Sequence, residues 1–200
     1  VNDSARKQDL IVLAADLDIK VAIEAILKRT RSLGIREVSF QIDVFSRHDP
    51  GCYRVPHDFL RPFVRQFEYA MVVFDRHGCG HEQRSREELE SDVESLLEQN
   101  GWAGRAAAIV LDPELEAWVW SRSPEVAAVL GWRGTTPDLW NWLTEHGVVD
   151  SGDRKPRDPK DALHKTLRNT GKRPSAVIFR ELARRVGLRR CTDPAFTKLK

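Results

Sequence analysis

Acidic residues follow three apolar runs of this 200-residue chain: Asp16 and Asp18 after residues 10–15, Asp75 after 70–74, and Asp112, Glu114 and Glu116 after 106–111. Carboxylate oxygens are the hard ligands that Mg²⁺ or Mn²⁺ takes, so a place where these acids converge could hold a divalent ion. The metal-ligand candidates are Asp16, Asp18, Asp75, His77, Glu114 and Glu116. Asp16, Asp75 and Glu116 are the catalytic candidates, with an ion on Asp75 and Glu116 polarising a phosphate and Asp16 assisting proton transfer. Glu114 and Glu116 would stand about 200° apart on a helix. Glu116 shares the face of Asp112 and is therefore preferred over Glu114.

A structural role competes at two of these positions. Asp112 before Pro113 has the pattern of a helix N-cap, and Asp18 could cap the first helix. Asp75 is different, because it opens the polar loop Arg76-His77-Gly78-Cys79-Gly80, whose glycines suit close approach of a ligand.

Softer ligands also occur. His77, Cys79 and His81, with His48, Cys52 and His57 on the loop after the second strand, are of the types that bind Zn²⁺. Their spacing matches no zinc ribbon or finger, which ranks Zn²⁺ below Mg²⁺ or Mn²⁺. No G-x-S-x-G and no G-x-x-x-x-G-K-[ST] is present, so a hydrolase nucleophile elbow and a nucleotide P-loop are not indicated.

The net charge of +2 neither demands nor excludes a nucleic-acid partner. The residues after 150 are locally basic, and Lys160, Lys165 and Arg168 are the candidates for gripping phosphates. Three cysteines without a C-x-x-C pair, no apolar run long enough to span a membrane and no signal-peptide pattern point to a cytoplasmic protein.

The elements that must position these residues follow from hydrophobic periodicity. Residues 10–15, 70–74 and 106–111 are continuous apolar runs, as strands in the middle of a parallel sheet are. Residues 38–45 alternate and predict a half-exposed edge strand. Ile19, Ile23, Ile26 and Leu27 predict one helix, and Leu89, Val93, Leu96 and Leu97 a second with a Ser85–Glu88 capping box. A short helix is expected over 59–67, with Pro62 in its first turn. Later helices are expected from Pro113, from Pro137 after Thr136, from Pro159 after Asp158, and over 175–186; residues 147–158 predict a long loop. The expected fold is α/β and Rossmann-like: a mostly parallel four-stranded sheet flanked by helices over residues 1–122, with a basic helical extension over 123–200 packed on it.

Three segments carry a family resemblance: the first strand with its acidic turn and following helix, the Asp75-Arg76-His77-Gly78 turn, and Pro113-Glu114-Leu115-Glu116-Ala117-Trp118. Together they resemble TOPRIM-related bacterial proteins, most of all those of antiviral defence loci, including a methylation-associated defence system. The likeness covers residues 8–120, and Cys191-Thr192-Asp193-Pro194-Ala195-Phe196 is similar to the tail of that group. It implies a TOPRIM-like core, a divalent metal and nuclease chemistry. In the family a Glu after the first strand is the acid/base and an Asp-x-Asp after the third binds the metal. Here Ala14-Ala15 stand where Glu-Gly is expected, leaving Asp16 as the nearest acid, and His77 takes the place of the second Asp. An imidazole there would favour Mn²⁺ over Mg²⁺.

Two functions follow: a metal-dependent nuclease on DNA or RNA, or a catalytically degenerate subunit of a defence complex. For the second, Trp132, Trp140 and Trp142 could anchor a protein partner, although burial in the extension is the commoner use of such residues.

Overall fold

The computed structural model describes residues 7–189 and 191–200. Four strands, β1 (Gln8–Ala14), β2 (Phe40–Val44), β3 (Phe67–Asp75) and β4 (Ala106–Leu111), form one wholly parallel sheet in the order β2-β1-β3-β4. Ten α-helices are described: α1 (Leu17–Leu27), α2 (Thr30–Leu33), α3 (His48–Arg54), α4 (Pro56–Leu60), α5 (Arg86–Leu97), α6 (Pro124–Leu130), α7 (Leu139–Glu145), α8 (Pro159–Thr170), α9 (Ala176–Arg185) and α10 (Pro194–Leu199). The α/β, Rossmann-like layout is therefore as expected. No helix among the described residues is long and apolar enough to cross a membrane.

The chain passes from β1 to β2 on one side and then to β3 on the other side of β1. Right-handed crossovers consequently place α1 on one face of the sheet and α3, α4 and α5 on the opposite face. The reversal leaves a crevice beyond the carboxyl ends of β1 and β3, the usual ligand position in open parallel sheets. Residues Ile11 to Ala14 in β1 are fully buried, and burying each Val, Leu or Ile side chain in such a position contributes roughly 1.5–3 kcal/mol. Residues of the extension, including Leu163, Leu167, Ile178 and Phe179, belong to the same contiguous core as Ile11 and Leu13, and α9 lies against α1.

Several local expectations are corrected. Residues 59–67 do not form one helix: α4 ends at Leu60, a 3-10 turn spans Arg61–Phe63, and Phe67 already begins β3. Pro62 has no N–H to continue the α ladder, and Phe67 is buried in the sheet. The loop expected around His48, Cys52 and His57 is helical, as α3 and α4. Helix α7 starts after Asp138, whose side chain accepts from Asn141 N at 2.8 Å; Pro137 lies outside it. Asp112 caps no helix: the chain bends at Asp112 and Pro113, Glu114 after them is extended, and the Asp112 carboxylate accepts from Arg76 Nε at 2.7 Å. Asp18 is not the cap of α1; Asp16 is, accepting from Ile19 N at 2.8 Å.

The run 106–111 is apolar on both faces, yet β4 is an edge strand, not part of the sheet's middle. Two carboxylates of α5 serve its outward N–H groups: Ala108 N donates to Glu94 Oε1 at 2.9 Å, and Val110 N to Glu90 Oε1 at 3.0 Å. Lys198 of α10 then pairs with Glu90 at 2.9 Å and Glu94 at 2.6 Å, and Arg86 with Glu90 at 2.7 Å. An exposed sheet edge would otherwise template pairing with another chain.

Candidate metal centre

Asp75 is the last residue of β3 and sits at the crevice. Its Oδ1 accepts from Leu115 N at 2.9 Å, and its own N–H donates to Asp49 Oδ1 at 2.8 Å. The bond to Leu115 draws the segment after β4 across the end of β3. Leu115 opens a 3-10 turn, Leu115–Trp118, and Glu114 before it is fully extended, with φ −163° and ψ 171°.

That backbone change brings Glu114 and Glu116 together. On one α-helix they would point apart, but with Glu114 extended and Glu116 in the turn, both carboxylates reach Asp75. One oxygen of each of Asp75, Glu114 and Glu116 lies within 4.8 Å of the others, and all three residues are buried. The preference for Glu116 over Glu114 thus fails on its helical premise.

Asp16 and Asp18 line the same small pocket, about 170 Å³, as Asp75 and Glu116. Asp16 arrives there because the end of β1 runs straight into the α1 cap. His77 does not join: it is exposed, its N–H donates to Pro113 O at 2.9 Å, and it lines the neighbouring cleft. Among the described residues no trio of His and Cys side chains comes within metal-binding range, so His77, Cys79 and His81 do not gather.

Two participants have no local signal in the sequence. Asp49 follows His48, whose φ of 49° turns the chain into α3 and whose Nδ1 lies 3.2 Å from Ala15 O. Lys160, expected on a phosphate-gripping surface, instead reaches into the acids: its Nζ is 3.1 Å from Glu114 Oε2 and 3.8 Å from Glu116 Oε1. Trp120 Nε1 donates to Pro159 O at 2.9 Å, which ties the start of α8 beside the site. Lys165 lines neither the acidic pocket nor the neighbouring cleft and pairs with Asp161 at 2.7 Å.

The electrostatics are those of a site short of positive charge. Burial raises the Asp75 carboxyl well above the ordinary carboxylate range, and Asp49, Glu116, Asp16 and Glu114 raise it further. Glu116 is raised by burial, with Lys160 opposing and Glu114 adding. Asp49 is raised by burial against the bond from Asp75 N, and Asp18 by burial and by Asp16. Burial pulls the Lys160 ammonium down, but Glu116 and Glu114 more than offset this. Three converging carboxylate oxygens fit Mg²⁺ or Mn²⁺ as a donor set, whereas Zn²⁺ structural sites favour Cys and His.

Trp118 and Trp120 are packing residues, with Trp118 Nε1 donating to Asp193 Oδ1 at 3.0 Å. Trp140 meets the buried Trp120 edge to face at 6.2 Å, and Trp132 and Trp142 pack at 5.2 Å; Trp132, Trp140 and Trp142 are partly buried against the core. No protein-family model, curated protein or solved structure matches the chain.

Proposed function

We propose that this chain is a divalent-metal-dependent phosphodiesterase acting on nucleic acid. The observation that carries the reading is the convergence of Asp75, Glu114 and Glu116 at the carboxyl end of a parallel sheet, with Lys160 the cation paired with them and too little positive charge at the site to balance them. A bound Mg²⁺ or Mn²⁺ would supply Lewis-acid polarisation of a phosphate there. Asp75, Glu114 and Glu116 would hold the ion. Asp49 fixes Asp75 by accepting from the Asp75 N–H, and Asp16, which lines the same pocket, would accept a proton from an attacking water. Lys160, half exposed on a flexible stem, is placed to swing from Glu114 to a substrate phosphate. The TOPRIM-like assignment and the antiviral-defence setting rest on the likeness of residues 8–120, and a cytoplasmic location is in keeping with three free cysteines.

One observation favours the alternative of a catalytically degenerate subunit of a defence complex. The Lys160 ammonium already bridges Glu114 and Glu116, as a resident cation would. Calorimetric titration with Mn²⁺ and Mg²⁺, paired with cleavage assays on labelled DNA and RNA, separates the two. The phosphodiesterase reading expects metal binding and cleavage, both lost in Asp75→Asn. Metal binding without cleavage of any substrate supports the subunit reading, and no metal binding at all removes the metal-centre assignment.

A further inference from the structure

Beside the acidic pocket lies a larger cleft of about 640 Å³, walled on one side by α8. Helix α8 buries Ala162, Leu163, Thr166 and Leu167 against the core. Lys160, His164 and Arg168 all line the cleft, at positions i, i+4 and i+8 of the helix. Residues four apart lie on one face and rise about 6 Å per step, so the three form a single row. The row starts at the carboxylates, where Lys160 meets Glu114. His164 lines both the acidic pocket and the cleft and stands at their junction. Arg168 ends the row, further out.

The acids lining this cleft already have partners. Asp158 caps α8 by accepting from Asp161 N at 2.8 Å, Asp161 pairs with Lys165, and Glu114 with Lys160. Arg157 is paired with Asp150. By contrast, His164 and Arg168 are exposed, and among the described residues neither side chain has a hydrogen-bond or ion-pair partner. Unpartnered basic groups on a groove wall, leading to a metal-type acidic site, match the backbone of a polyanion whose reacting phosphate sits at the acids.

From this we infer that α8 is a track for one strand of nucleic acid, on which Lys160, His164 and Arg168 take successive phosphates to one side of the reacting one. The inference builds on the phosphodiesterase reading and names its substrate form. A single row of phosphate-binding side chains serves one strand, so the ligand is single-stranded; a duplex would need a second row for its other strand. The contacts are to phosphate and carry no base information, so DNA and RNA of any sequence bind.

The test is fluorescence anisotropy of the full chain with a labelled single-stranded oligonucleotide, without divalent metal, over a series of salt concentrations. Arg168→Glu should weaken binding about tenfold or more. Arg168→Ala should flatten the log–log salt slope by about 0.7, the share of one phosphate contact on a single strand. His164→Ala should weaken binding, and Lys165→Gln should leave it within about twofold of the parent protein, because that side chain lines neither the cleft nor the acidic pocket. A mononucleotide should compete poorly. Unchanged affinity in Arg168→Glu, equal affinity for a duplex, or a mononucleotide binding as tightly as the oligonucleotide would each overturn the track. All the substituted side chains except Lys165 lack partners, so folding is not at issue for them. Mn²⁺ titration of the parent protein keeps the two readings apart: strand binding without metal binding sinks the metal centre alone, and metal binding without strand binding sinks the track alone, whereas Arg168→Glu should lose strand binding and keep metal binding.

Discussion

Two groups of buried acids border β4, one along its outer edge and one at its carboxyl end, and the protein treats them differently. At its outer edge Glu90, whose side chain is 4% exposed, is met by Arg86, Lys198 and the Val110 N–H. At its carboxyl end Glu114 and Glu116, 8% and 11% exposed, share Lys160 with each other, and Asp75, Asp49 and Asp16 crowd the same space. Similar burial thus comes with a balanced charge in one place and an excess in the other. A buried charge without compensation costs several kcal/mol, so a fold keeps such a cluster at the expense of stability. That asymmetry separates an acid that seals a sheet from the acids of the proposed metal centre.

The comparison can be broken most forcefully at the edge. Glu90→Ala strips the partner from Arg86 and Val110 N–H and should destabilise the protein by about 3 kcal/mol in urea unfolding, the range for breaking a buried ion pair. A loss below about 0.5 kcal/mol, the scatter of ordinary surface substitutions, would show that the network is idle.

At the other cluster the sign should reverse. Asp75→Asn keeps an oxygen for Leu115 N–H but removes a charge, and should stabilise the metal-free protein by roughly 1 kcal/mol, as relief of a strained functional site does. The same group sets a pH dependence. The folded Asp75 carboxyl titrates well above the ordinary value of 3.8, so over the interval between the two pKa values the folded chain binds more protons than the unfolded one. Stability of the metal-free protein therefore falls as pH rises from about 4 through that elevated pKa and then levels off. Glu116 and Asp49 act in the same direction. Urea midpoints at mildly acidic and mildly alkaline pH should differ in the parent protein and differ less in Asp75→Asn. A parent protein more stable at the alkaline end would refute the charge excess.

Lys160→Gln should have the smallest effect. The side chain is half exposed, so its ion pairs are worth less than about 1 kcal/mol. Its loss should leave the carboxylates freer and tighten Mn²⁺ binding in calorimetry. Weaker Mn²⁺ binding would mean that Lys160 orients the ligands instead of competing with the ion.

How much of this was legible beforehand depends on whether the information is local. Residues 10–15 and 70–74 are continuous apolar runs, and that pattern identifies a strand buried on both faces. Burial does not reveal hydrogen-bond partners, which is why 106–111 has the composition of an inner strand and is an edge covered by α5 and α10. The carboxylates after the strands were visible as types and positions. Their convergence was legible only in part, because Glu114 is extended where a helical pattern was expected, and Asp49 and Lys160 reach the site across the fold. His77 follows Asp75 by two residues and so looked like its partner, yet at the end of β3 the backbone turns it to the neighbouring cleft.

The seal on β4 also bears on the order in which the molecule is made. Glu90 and Lys198 are 108 residues apart, so the strand and its two glutamates leave the ribosome long before the lysine that neutralises them. During that interval Arg86 is, among the described residues, the one cation paired at the sheet border, and the two glutamates leave the border a net negative charge. Two nascent chains presenting this border repel each other, and like charge facing like charge disfavours strand-to-strand pairing. The residues that close the edge in the finished protein thus act earlier as guards against aggregation, and the late arrival of α10 converts a repulsive border into a bonded one.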